Sequence, residues 1–132
     1  MNKEFCTYEQ ALALKELGFD EPCILLYRGL DTQPVCQMGY EFKTEKNSDY
    51  NDETNYWLTV PTYSQAFRWF REKHNLSGGI HQSGDMDDRY TFRINFTCYP
   101  HNSVGRGDEY SYPEAESACL DKLIEIVRNT KP

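Results

Sequence analysis

Basic residues are in short supply in this 132-residue chain: fourteen Lys and Arg stand against twenty-one Asp and Glu, a formal net charge of -7. A protein that grips phosphate backbones needs a basic face, because neutralising phosphates drives that affinity. General nucleic-acid binding is therefore not expected, although a local basic patch stays open. Long apolar runs are missing too. No stretch approaches the ~20 residues that a membrane-spanning helix requires. Met1-Asn2-Lys3-Glu4-Phe5 leads into no apolar segment of the kind a signal peptide carries, so a cytoplasmic protein is expected. Without such a signal, the sequons at Asn75-Leu76-Ser77 and Asn95-Phe96-Thr97 carry no weight.

The five cysteines, Cys6, Cys23, Cys36, Cys98 and Cys119, form no CxxC pair and no zinc spacing. Buried free thiols in a reducing compartment are expected, since free Cys behaves as a small hydrophobe. No GxSxG elbow, Walker loop, HExxH helix or dinucleotide fingerprint occurs, so no catalytic residue, cofactor or metal is assigned. Asp85-Met86-Asp87-Asp88 supplies only fragments of a calcium loop, which needs alternate carboxylates, a turn glycine and a distant Glu.

Aromatics are plentiful, at 14% of the chain. That excludes a disordered segment, and the length fits a single α+β domain over 1–132. The clearest signal occurs three times, in Thr7-Tyr8-Glu9-Gln10-Ala11, Thr62-Tyr63-Ser64-Gln65-Ala66 and Ser111-Tyr112-Pro113-Glu114-Ala115. Each puts a hydroxyl at the N-cap and a Gln or Glu three residues on, the capping-box spacing, and Pro113 suits a first turn. Three helix starts follow. Gly18-Phe19 and Asn75-Leu76 supply left-handed stops with an apolar follower. In Arg68-Trp69-Phe70-Arg71, Phe70 belongs with Tyr63, Ala66 and Phe67 on a core face, and the two arginines lie together on a solvated one.

Between the helices the period drops to two. Strands are expected over 23–28, 36–42 and 56–60, then a hairpin of 79–82 and 90–99 across Ser83-Gly84-Asp85. In the last strand Tyr90, Phe92, Ile94, Phe96 and Cys98 point one way, and Thr91, Arg93, Asn95, Thr97 and Tyr99 the other. The order α-βββ-α-ββ-α implies one antiparallel sheet of about five strands with three helices on one face, and room for a short strand over 108–110. The recurring helix-then-strands unit suggests an internal duplication. Segments 43–55 and 100–107 read as surface loops.

The outward face of that last strand is the candidate site. Arg93, Asn95 and Tyr99 offer a cation, an amide and a phenol beside a loop with His101 and Arg106. A bare sheet face of this composition suits a small anionic ligand, a host protein or a second copy of the chain. A homodimer is expected through the helix-free face or edge. A hydrolytic set of His81, Asp87, Asp88 and His101 is the enzymatic alternative, and an acidic nucleic-acid mimic on 43–55 a third.

Three segments resemble small proteins of gut Bacteroidales and of their phages and prophages: YEQALALKELGFDEPC (8–23), PTYSQAFRWFREK (61–73), and Glu114-Ala115 through Ala118-Cys119-Leu120 to Leu123-Ile124-Glu125-Ile126-Val127. The resemblance covers the helices, about half the chain, and differs at Asn75, where relatives often show Gly. It carries no catalytic residue across. What it implies is an accessory protein of a phage or mobile element acting in the bacterial cytosol, whose fixed helices present variable strands and loops.

Overall fold

The computed structural model describes residues 4–28, 35–36, 57–82, 89–109 and 111–130; the side chains at 28, 35, 36, 57, 99–102 and 109 fall outside it. The chain forms two compact units, Met1–Thr62 and Tyr63–Pro132, each with its own antiparallel sheet. The boundary falls at a helix start.

In the first unit, α1 (Tyr8–Glu16) begins where the capping spacing places it. Thr7 is extended at φ -73° and ψ 167°, and its Oγ1 accepts from the Gln10 amide at 3.2 Å. The Thr7 amide donates back to Gln10 Oε1 at 3.0 Å, so both halves of the box are closed. The stop is equally explicit. Gly18 sits at φ +99°, its amide donates to the Lys15 carbonyl, and the Phe19 amide donates to the Leu14 carbonyl at 2.9 Å. That is the paired bonding of a Schellman ending, and it drops Phe19 into the core at 1% exposure. Thr7→Ala is expected to cost about 1 kcal/mol in urea unfolding. Ser64→Ala, at an exposed first-turn position of the next helix, should change the midpoint little; equal effects would mean the cap is not the source.

Strand β1 (Leu25–Arg28) is central, flanked by β2 (Val35–Cys36) and β3 (Trp57–Val60). Leu25 pairs with both Cys36 and Val60. α1 packs on β3, over a core of Leu14, Phe19, Cys23, Leu26 and Val60.

The second unit runs α2 (Tyr63–His74), β4 (Leu76–Gln82), β5 (Tyr90–Phe96), β6 (Tyr99–Glu109) and α3 (Tyr112–Thr130). Asn75 takes the left-handed conformation at φ 56°, ending α2 and turning the chain directly into β4. Tyr63, Ala66, Phe67 and Phe70 are buried while Arg68 and Arg71 are exposed, as expected, and Trp69 is buried with them. Ser111 Oγ accepts from the Glu114 amide at 3.3 Å at the head of α3. The sheet is a meander in the order β4-β5-β6. Both helices cover one face of it. A side chain added at Gly78 would meet Cys119 and Leu123 of α3 and Phe67 of α2, and one at Gly105 would meet Lys122 and Ile126 of α3.

Several expectations change. One five-stranded sheet under three helices becomes two three-stranded sheets, with α2 and α3 on the second. The segment 100–107 is not a loop but most of β6. Its inward positions, Gly105 and Gly107, are glycines because Ile94, Lys122 and Phe92 press against the bare backbone, so no apolar alternation announces a strand. β5 stops at Phe96, and Thr97-Cys98 forms the turn into β6, which leaves Phe96 and Cys98 exposed rather than inward. The helix-plus-three-strands order occurs twice, yet the first strand is central in one sheet and the second strand in the other. The two sheets therefore do not correspond strand for strand among the described residues. Residues 37–42 of the strand expected over 36–42, the loop 43–55 and the hairpin tip 83–88 lie outside the described residues.

Cys6, Cys23 and Cys119 are buried free thiols, and Cys98 is exposed. Burial pushes the Cys23 and Cys119 thiols up to about 12 from 9.0. A raised folded-state value stabilises below the unfolded value and loses that contribution as pH rises through the folded one. Stability is therefore expected to fall between pH 9.0 and about 12. In the native protein a thiol reagent should modify Cys98 ahead of Cys6, Cys23 and Cys119; equal rates would contradict their burial.

Candidate functional site

The face of the second sheet opposite α2 and α3 is built by cross-strand register. β4 and β5 pair without a shift, Gly79 opposite Arg93 and His81 opposite Thr91. β5 and β6 pair Arg93 with Arg106 and Thr91 with Asp108, then shift register on either side of Asn95, which faces Ser103. Phe92 and Ile94 are buried toward the helices, so the alternate residues look outward. Three rows result: Ser77, Asn95 and Ser103; Gly79, Arg93 and Arg106; His81, Thr91 and Asp108.

The middle row is the unusual one. Arg93 and Arg106 are directly opposite each other, both are exposed, and neither has an ion-pair partner among the described residues. Like charges facing each other across two strands destabilise a sheet by about 0.2–1 kcal/mol. Asp108 is the acid on these rows, and it sits diagonally from Arg93. The third member of the row, Gly79, has no side chain, and the His81 imidazole lies back over it. A Cβ at Gly79 would be 3.3 Å from His81 Nε2. The imidazole thus borders the arginine row.

Polar groups frame the pair. Thr91 Oγ1 donates to the His81 carbonyl at 3.4 Å, and Ser103 Oγ to the Gly105 carbonyl at 3.0 Å. Asn95 Oδ1 is buried with no hydrogen-bond partner, an acceptor left at the register shift. Two forked guanidinium groups side by side, with neutral polar groups around them, can chelate a phosphate or carboxylate.

Of the residues singled out by sequence, Arg93, Asn95 and Arg106 come together on this face. Arg106 does so from a strand rather than a loop. Tyr99 pairs with Phe96 beyond the second register shift, and His101 also lies on β6; their side chains lie outside the described residues. Of the hydrolytic set, Asp87 and Asp88 lie outside the described residues and His81 borders the arginines. Sequence reasoning missed Gly79, Ser103 and Asp108, and gave His81 another role. The signal available for β4 was the alternation of Ser77, Gly79 and His81 with Leu76, Gly78 and Ile80. Among the described residues no group of three or more His, Cys, Asp or Glu could hold a metal ion, and no helix is long and apolar enough to cross a membrane.

No protein family, curated protein or solved structure matches the chain.

Proposed function

We propose that this chain is a non-enzymatic binding module whose helix-free sheet face takes a small anionic ligand, a phosphate-bearing metabolite or nucleotide. The observation that carries the reading is the directly opposed, unneutralised pair Arg93 and Arg106. An anion between the two guanidinium groups turns their repulsion into two charge-assisted contacts, each worth about 1.5–3 kcal/mol. Asn95 and His81 then border the bound group. In a chain with net charge -7 such a paired site selects small anions by local geometry and not by a general basic field. The resemblance to phage and prophage proteins gives the setting: an accessory protein in the bacterial cytosol that sequesters a host metabolite or nucleotide signal.

Mass spectrometry of small molecules released by denaturing the purified protein tests this directly. A phosphorylated compound recovered from the native chain and lost from Arg93→Glu supports the reading. A chain that releases none, and that retains no phosphate, pyrophosphate or nucleotide on equilibrium dialysis, contradicts it.

A further inference from the structure

The two edges of the second sheet are built differently. β6 is a guarded edge. It carries Pro100, the charges of Arg106, Asp108 and Glu109, and two register shifts against β5. Proline, charge and bulges are the devices by which natural sheets discourage another strand from pairing. β4 has none of them. Leu76-Ser77-Gly78-Gly79-Ile80-His81-Gln82 contains no Lys, Arg, Asp, Glu or Pro, and its ladder to β5 is regular over all seven residues.

The backbone groups that β4 turns outward follow from one bond. The Thr97 amide donates to the Asn75 carbonyl at 2.8 Å, and these two residues are directly opposite in the β4–β5 register. An opposed pair that exchanges bonds recurs at every second position of an antiparallel ladder. Asn75, Ser77, Gly79 and His81 therefore bond to β5, and Leu76, Gly78, Ile80 and Gln82 direct their amides and carbonyls away from it. None of those four bonds to another described strand.

We infer that β4 pairs antiparallel with β4 of a second copy of this chain, about a two-fold axis at Gly79. Seven residues centred on Gly79 overlap completely in that register, with Leu76 opposite Gln82 of the partner copy and Gly78 opposite its Ile80. The outward backbone groups of Leu76, Gly78, Ile80 and Gln82 are the ones this register bonds. Gly79 meets its own mate at a position that makes no bonds to it, as its ladder to β5 requires. The absence of charge on β4 is what lets the strand face itself, since any Lys or Glu would confront a like charge close to the axis. Two three-stranded sheets become one six-stranded sheet with a continuous helix-free face. Arg93 and its mate then lie three strand spacings apart, roughly 14 Å. That leaves one anion site per copy and none shared at the axis, so the pairing stands independently of ligand binding.

Sedimentation velocity of the full chain between about 1 and 100 μM reads the assembly. The wild-type chain is expected to show a concentration-dependent dimer. Gln82→Pro and Ile80→Pro each remove an outward amide without breaking a bond to β5 and should sediment as monomers; Gln82→Pro, at the exposed strand end, is the milder. Arg93→Glu, one strand in from the edge, should leave the dimer intact. A Gly79→Cys variant, placed at the axis, should cross-link to itself on mild oxidation. A monomer throughout the range overturns the inference and leaves the edge for another partner. A dimer that survives Gln82→Pro, or that Arg93→Glu dissociates, overturns it in favour of a different interface.

Discussion

Reversing both charges of the cross-strand pair, Arg93→Glu with Arg106→Glu, is expected to weaken anion binding on the order of a thousandfold or more, since two charge-assisted contacts are replaced by repulsion. The single variants separate two roles of the arginines. Arg93→Thr should lose most of the affinity. It should also leave the unfolding free energy unchanged or raised by about 0.2–1 kcal/mol, because it removes a like-charge confrontation with Arg106 and suits an outward strand position. Arg93→Lys keeps the charge and loses the planar fork, so it should fall between wild type and Arg93→Thr in affinity. Calorimetric titration with pyrophosphate and urea unfolding of the same three proteins supply both numbers. Loss of affinity accompanied by equal loss of stability would mean the arginines hold the sheet together and bind nothing.

Gly107→Val is expected to give the largest loss of stability of any substitution on the second sheet's polar strand, about 3 kcal/mol or more. A Cβ at Gly107 would lie within 2.6 Å of Phe92 Cζ, and Phe92 is only 6% exposed. The ring is buried on the face that α3 covers, so it cannot retreat without disturbing that packing. Arg106→Ala, the neighbouring outward position, should change stability little. A shift in the urea midpoint for Gly107→Val no larger than for Arg106→Ala would show that Phe92 does not lean on β6 as described.

Helix ends were legible because capping is local chemistry. Thr7 and Gln10 can satisfy each other's amides only at that spacing, and Gly18 and Asn75 are residue types that tolerate positive φ. β5 was legible from its alternation of Phe92 and Ile94 with Thr91 and Arg93. β6 was not. Its contribution to the core is backbone at Gly105 and Gly107, and the rings and methyls that press on it belong to β5 and α3. A pattern-based reading sees glycines, a proline and charges there, which is also how a loop looks.

The same gap hid most of the candidate site. Arg93 and Asn95 were found from their own strand. Setting Arg106 opposite Arg93 and Ser103 opposite Asn95 depends on register shifts that no spacing in the sequence announces. His81 was grouped with Asp87 and Asp88 by proximity along the chain, whereas its imidazole turns back over Gly79. That the fold divides into two three-stranded sheets was likewise beyond local pattern, since which strands pair is decided by contacts distant in sequence.

Arg93 and Arg106 are proposed to act together on one anion. The most direct measurement is a titration of the isotopically labelled chain with pyrophosphate at constant ionic strength, followed by amide chemical shifts. The expected result is a saturable change centred on Gly79, His81, Arg93 and Arg106, absent from the Arg93→Glu protein. Unsaturable shifts, or shifts centred on the exposed Arg68 and Arg71 of α2, would contradict it.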